Sequence, residues 1–384
     1  MKKNKFYNKE FSLKILCLIF ICLLIVKSRF TPLTYDEAYT YLNYVITKDY
    51  FNIGLANNHL LNTVLIGLTT LYDNSEFFIR LPSIFSGILY VFVAFKFSEK
   101  YKHSYLILII FLFNPLLFEF FSLARGYSIS ASLNLLSIYL YIYSKYKYKY
   151  PLVIFLLWIS SLAIFINLIT LFLIILLNYF LEKDAIKNTY TNFVNLIFII
   201  LSWPIVNWVF EITKENKPLY GNEIEIPFIE HVITIFGFVK TYFVKSLSLG
   251  LVFILFTLFT YYKFYSVNKI RKFSTALFFL TLLSLIAIPI IFSKPFPVNR
   301  VLIPFIPIFQ IFLVSIFGEL ERGSFSNFLI SLLFINFIFT YNLNESLVWG
   351  KSIELTEEGN SEYCASLLIS RPEIQYYLEY REFC

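Results

Sequence analysis

The chain reads as an all-α, polytopic helical membrane protein, and three observations make it so. Hydrophobic residues form 58% of its 384 residues, charged residues only 15%, and the mean hydropathy is +0.69. A soluble domain carries about 45–50% apolar and about 25% charged residues. This excess runs the length of the chain, and one globular core cannot hide it, because a surface in water must still be made of polar groups. The apolar residues arrive in runs close to the roughly 20 needed to cross a bilayer. Lys and Arg sit mostly in the short connections between those runs. An aqueous enzyme and a disordered chain are both excluded, and the formal net charge of +7 reflects membrane topology rather than a nucleic-acid partner.

The first run opens as MKKNKFYNKEFSLK, continues as ILCLIFICLLIV and ends at KSRF. A basic start before a short apolar stretch resembles a signal peptide. No small-residue cleavage site follows and further spans do, so the segment reads as a retained first helix. Lys2, Lys3, Lys5, Lys9 and Lys14 hold its start in the cytoplasm. The predicted spans are 11–30, 78–96, 105–122, 127–144, 151–165, 166–181, 190–209, 240–262, 274–292, 300–318 and 325–342. That gives about 11 crossings, with the pair over 151–181 short enough to be a broken helix.

Alternation puts the loops at 97–104, 145–150, 182–189, 263–273 and 319–324 in the cytoplasm, and these carry basic residues throughout, from Lys100 and Lys102 to Arg322. The acidic stretch with Glu215, Glu223 and Glu225 falls on the other side, as does a short tail at 343–384. The whole of 1–342 is then one membrane domain, and the compact form with short loops points to a bacterial cytoplasmic (inner) membrane. KYKYKY at 145–150 reads as a basic loop with tyrosines at the interface. Cys17 and Cys22 lie in the first span, and no cysteine spacing suggests a structural metal. Cys364 and Cys384, in the tail, can pair if that tail faces an oxidising compartment.

The stretch 31–77 lies outside and is not very polar. TYDEAYTYLNYVITKDYF and HLLNTVLIGLTTLY both carry apolar residues at helical spacing, which predicts one or two interfacial helices at the outer membrane surface. Thr34-Tyr35-Asp36-Glu37 opens the first of them. Thr followed three residues later by Glu is a capping box, and early Asp favours the helix dipole. The cap accounts for Glu37 and only partly for Asp36. Adjacent helical residues point about 100° apart, so Asp36 is the better catalytic candidate.

Other polar residues fall on the same side. His59, in NNHLL, suits a phosphate when protonated, or a metal together with a carboxylate. One His and two carboxylates do not establish a metal site; a divalent metal stays open without support, and no other cofactor is called for. Arg125, in SLARGYSIS, lies where the third and fourth spans turn, with Tyr127 beside it; Arg300, in SKPFPVNRVLIPFIP, begins the tenth span near Lys294. A charge at the membrane interface is costly unless paired or watered, and the planar guanidinium fork suits phosphate oxygens. Arg80, in FFIRLPS, reads as an anchor or as a partner for a loop carboxylate. A carboxylate with two arginines on one membrane face describes a site for an anionic lipid headgroup undergoing substitution.

With these residues in view, the chain resembles the GT-C class of integral-membrane glycosyltransferases, in particular the protein O-mannosyltransferases and bacterial aminoarabinose transferases. The likeness covers roughly residues 10–320 and rests on the order of TYDEAYTY, NNHLLNTVLIG, RLPSIFSG, FEFFSLARGYSISAS and NRVLIPFIP. It implies a sugar donor carried on a polyprenyl phosphate and inverting transfer on the extracytoplasmic face. It also implies that Asp36 is the general base, that Glu37 orients the loop or the acceptor, and that Arg125 and Arg300 bind the lipid phosphate. The chain departs from many relatives at Leu60 and Leu61, where those carry a Pro pair after the basic residue, and in its short tail. The acceptor stays open among lipid, glycan and protein hydroxyls. Two other readings compete: a polymerase or ligase of lipid-linked envelope glycans, which usually places its key loop late in the chain, and a transporter or flippase of an anionic lipid-linked substrate, which calls for related halves and midplane charges.

Overall fold

The computed structural model describes residues 2–51, 58–146, 148–182, 188–214, 238–239, 241–243, 247–263, 269–292, 299–318 and 323–341. Among these every regular element is a helix. In chain order they are α1 (Lys2–Phe30), α2 (Tyr35–Thr40), a π-helical turn (Tyr41–Ile46), α3 (Leu60–Thr69), α4 (Glu76–Ser98), α5 (Ser104–Leu112), α6 (Pro115–Phe121), α7 (Gly126–Tyr143) and α8 (Lys149–Ala163). A 3₁₀ turn (Phe165–Asn167) leads into α9 (Leu168–Leu181), followed by α10 (Thr189–Lys214), α11 (Leu247–Lys263) and α12 (Lys269–Phe292). A second 3₁₀ turn (Asn299–Phe305), α13 (Ile306–Phe317) and α14 (Ser324–Thr340) complete the described chain.

Among the described residues five helices are long and apolar enough to cross a membrane: Lys9–Phe30, Glu76–Ser98, Thr189–Val209, Ile270–Ala287 and Arg300–Phe317. A sixth span is formed if α5 and α6 are counted together across their 61° bend. The runs at 151–165, 166–181 and 325–342 appear as shorter apolar helices. The break at 151–181 falls where the sequence suggested one, between Ala163 and Leu168. The acidic loop at 211–230 lies largely, and the tail with Cys364 and Cys384 entirely, outside the described residues.

The bend between α5 and α6 has a local cause. Asn114 and Pro115 follow Phe113, Pro115 brings no N–H to continue α5, and the Asn114 side chain instead accepts from Leu117 N at 2.9 Å to start α6. The carbonyls left at the end of α5 are then buried and must find donors. Gln310 Nε2, from α13, donates to Ile110 O and Phe111 O at 3.1 Å each, while its own carbonyl accepts from Tyr90 OH. Tyr242 OH also donates to Ile110 O.

Burial orders the bundle. The Arg300–Phe317 span is 94% buried and the Thr189–Val209 span only 17%, so α13 is the central rod and α10 a peripheral one. Around α13 lies a Phe-rich core in which Phe278 stacks on Phe312 at 4.6 Å between ring centroids. A polar network sits inside it: Asn134 donates to Asn167 Oδ1 at 2.6 Å and to Pro304 O at 2.7 Å, and Asn167 donates to Ser160 Oγ at 2.7 Å. These bonds tie α7, α8 and both 3₁₀ turns together. Fully buried side chains hydrogen-bonded to one another fix a unique register that apolar packing alone leaves loose.

Candidate functional site

The segment after α1 is drawn under the bundle by one buried ion pair. Glu37 and Arg80 side chains are both 0% exposed and meet as a two-bonded fork, Nε to Oε1 at 2.8 Å and Nη2 to Oε2 at 2.8 Å. Arg80 spends its other N–H groups on the carbonyls of Ser28, Thr31 and Pro32, so all five guanidinium donors act on the elbow between α1 and α2. Glu37 also accepts from Thr34 N at 2.9 Å, Thr34 Oγ1 at 3.0 Å and Ala124 N at 2.6 Å. The capping box expected at Thr34 is present. Burial alone pushes the Glu37 carboxyl up; the facing Arg80 charge and these donors outweigh it and hold the group below its ordinary range.

The loop from Ser122 to Arg125, between α6 and α7, is almost wholly buried yet not helical, so its backbone groups need partners. Ala124 N goes to Glu37, Ala124 O accepts from Asn62 Nδ2 at 3.0 Å, and Arg125 O accepts from Ser128 Oγ at 3.0 Å. Gly126 opens α7 where nothing larger fits: a Cβ there would lie 2.4 Å from Ala163 O and 2.9 Å from the His59 Cβ.

Asp36 and Glu37 diverge, as neighbouring helical residues must. Glu37 faces inward to Arg80, while Asp36 faces two other arginines. Its Oδ2 lies 2.7 Å from Arg300 Nη1 and 3.2 Å from Arg125 Nη2. Arg125 Nη1 further reaches Asp36 O at 3.4 Å and Thr40 Oγ1 at 3.5 Å, and Thr40 Oγ1 in turn donates to Asp36 O at 2.8 Å. The side chains of Arg125, Asp36 and Arg300 are 1%, 10% and 29% exposed, so solvent reaches the cluster from the Arg300 side. Arg300, 264 positions from Asp36 in the chain, and Arg125 converge on one carboxylate oxygen, with two guanidiniums and one formal positive charge in excess among these three groups.

The remaining predicted residues take distinct places. His59 is 6% exposed and its ring meets Tyr127 edge-on at 5.0 Å, while the Arg125 guanidinium lies 6.0 Å from the same Tyr127 ring. Tyr127 therefore props Arg125 from beneath. Burial first, then the adjacent Arg125 and Arg300 charges, push the His59 imidazole well below its ordinary value, against a hydrogen bond to Ala163 backbone. These influences oppose charging of the imidazole. Lys294 lies outside the described residues.

Arg80 takes the second of its two expected roles, as partner of a loop carboxylate. A further buried pair, Lys27 with Glu119 at 3.0 Å, joins the end of α1 to α6. It escaped the sequence reading although a lone Glu inside FEFFSLA is costly there without a partner. Among the described residues no group of three or more His, Cys, Asp or Glu side chains could hold a metal ion. No known protein family, curated protein or solved structure matches the chain.

Proposed function

We propose that the protein is an inverting glycosyltransferase of GT-C type, which moves a sugar from a polyprenyl-phosphate donor to an acceptor hydroxyl. The observation that supports this reading best is the convergence of Arg125 and Arg300 on Asp36 at the mouth of the cluster. The acceptor oxygen attacks the anomeric carbon and the bond from that carbon to the phosphate oxygen breaks. The hydroxyl proton passes to the Asp36 carboxylate, and the negative charge that grows on the departing phosphate is met by the two guanidiniums. Asp36 now lies where a donor phosphate would be gripped. Arrival of the phosphate exchanges one anion for another and frees the carboxylate to face the acceptor.

Glu37 and Arg80 do not touch this chemistry. They fix the elbow that presents Asp36, as Tyr127 and Thr40 fix Arg125. In the finer form of the proposal the chain crosses a bacterial cytoplasmic membrane about eleven times with a cytoplasmic N-terminus, and the cluster opens on the outer face. The sequence resemblance and the distribution of basic loops support that topology.

The deciding experiment is Asp36→Asn in purified protein with a lipid-phosphate sugar donor. Transfer falls by about 10²–10⁴, the usual contribution of a general base, while donor binding becomes no weaker because two guanidiniums lose an internal competitor. Wild-type transfer in the variant would remove Asp36 from the mechanism. Weakened donor binding would overturn the anion exchange.

A further inference from the structure

Beside the end of α1 lies a hollow of about 480 Å³, lined by Ile25, Arg29, Asp73, Ser75 and Phe77. That volume is within the range of small-molecule sites, about 300–1,000 Å³. Ile25 and Arg29 come from α1, one helical turn apart and so on one face. Asp73 and Ser75 come from the connection into α4, and Phe77 from the first turn of that helix. The apolar span of α1 ends at Phe30, which sets Arg29 and the hollow at the depth of lipid headgroups.

Two opposite charges share this hollow without meeting. Arg29 and Asp73 are both exposed, and neither makes a hydrogen bond or an ion pair among the described residues. Ser75 stands at the N-cap of α4, yet its side chain makes no capping bond there. Arg29 alone has a plain explanation, a long cation reaching the headgroup layer from the end of a span. Asp73 has none in those terms. A carboxylate in the same hollow repels the phosphate that the arginine attracts, unless the ligand brings a positive group of its own.

The surroundings narrow the ligand further. Ile25 is 38% exposed below Arg29, and Phe30, Leu71 and Tyr72 are 62%, 82% and 85% exposed near it in the chain. Charge in the hollow and apolar surface beside it suit a lipid, with its headgroup seated and its chains left in the bilayer. An ethanolamine headgroup carries a phosphate and a primary ammonium joined by two carbons, and the ammonium brings three N–H donors to a carboxylate. A choline headgroup has the same charges and no N–H, while a glycerol headgroup has no cation at all.

We infer that this hollow binds the headgroup of a zwitterionic aminophospholipid of the membrane, its phosphate on Arg29 and its ammonium on Asp73. The seat shares no residue with the Asp36 cluster and does not depend on the transferase reading.

The test is native mass spectrometry of the full-length, detergent-solubilised protein, offered equal amounts of phosphatidylethanolamine, phosphatidylcholine and phosphatidylglycerol with identical chains. The last lipid kept as detergent strips the protein is expected to be phosphatidylethanolamine, about 3- to 10-fold over either rival, the discrimination of one modest hydrogen bond. Asp73→Asn should bring it level with phosphatidylcholine, and Asp73→Lys, with two cations in the hollow, should put phosphatidylglycerol first. Arg29→Gln should lower retention of all three. Both side chains are exposed, so these variants fold. Free phosphoethanolamine at the lipid's concentration should displace nothing; displacement would give the hollow to a soluble headgroup compound and overturn the lipid assignment. Equal retention of the three lipids, or an ethanolamine preference that survives Asp73→Lys, would overturn the inference outright.

Discussion

Replacing Arg80 with methionine tests whether a residue that never meets the charged cluster builds it. The substitution removes a guanidinium with five engaged N–H groups and leaves Glu37 buried, still accepting from Thr34 and Ala124 but without its counter-charge. Breaking one side of a buried ion pair costs about 3–5 kcal/mol. The carbonyls of Ser28, Thr31 and Pro32 lose a donor as well, but they lie in an elbow that can turn toward water, so their share is smaller. The energy therefore appears as opening of the α1–α2 elbow rather than of the whole bundle.

Hydrogen exchange reads that opening directly, because Thr34 N–H and Ala124 N–H both end on the Glu37 carboxylate. At tenfold per 1.4 kcal/mol, their exchange should accelerate about a hundred- to several-thousand-fold, while amides in α13 stay protected. Arg80→Lys keeps the charge but not the fork and should fall between. The same amides carry a pH dependence whose sign is fixed. Glu37 has a lowered folded pKa, so its stabilisation is complete above the unfolded carboxyl value of about 4.3 and is lost as pH falls through the lower, folded value. Protection that survives Arg80→Met within a factor of about three would mean the fork is a bystander, and the account of how Asp36 is presented would fail with it.

Three further outcomes follow from particular contacts. Gly126→Ala sets a methyl 2.4 Å from Ala163 O, and a backbone oxygen cannot swing aside; overpacking of this sort costs about 1–3 kcal/mol, so thermal unfolding should shift down and any activity fall, and an unchanged melting curve would show that α7 slides freely. The His59 ring signal in NMR should stay at its neutral position across the range around pH 6.5 where a free imidazole titrates, since burial and two guanidiniums oppose its charging; an ordinary titration would place the ring in water. Gln310→Leu strips the donor from Phe111 O and leaves Ile110 O with Tyr242 alone, at about 1–3 kcal/mol for an unmatched buried group, and a variant as heat-stable as the parent would show that the carbonyls freed at the α5–α6 bend do not depend on Gln310.

Local rules fixed part of this site in advance. The capping box at Thr34 and Glu37, the divergence of Asp36 from Glu37 and the short helices after α1 all follow from spacing within a few residues. Arg125 and Arg300 stood out because charge in an apolar chain needs a reason. What spacing could not supply was the pairing: that Glu37 would choose Arg80, 43 residues away, and Asp36 would take both other arginines. Those choices are made by packing, through the tight Gly126 contact and the buried Ser122–Arg125 loop.

The two adjacent carboxylates divide the work by charge balance. Glu37 meets one guanidinium in a fork, is fully buried and has its oxygens saturated by four donor groups, which suits a permanent structural tie. Asp36 meets two guanidiniums, and one of those, Arg300, is 29% exposed. An exposed cation sharing a carboxylate with a buried one can release it to a competing anion at modest cost, since water replaces part of what is lost. A pair built for stability alone would be closed on both sides, as Glu37 and Arg80 are. The asymmetry, a sealed pair beside an open triad on consecutive residues, is what a site needs when its scaffold must stay still while its anion is exchanged.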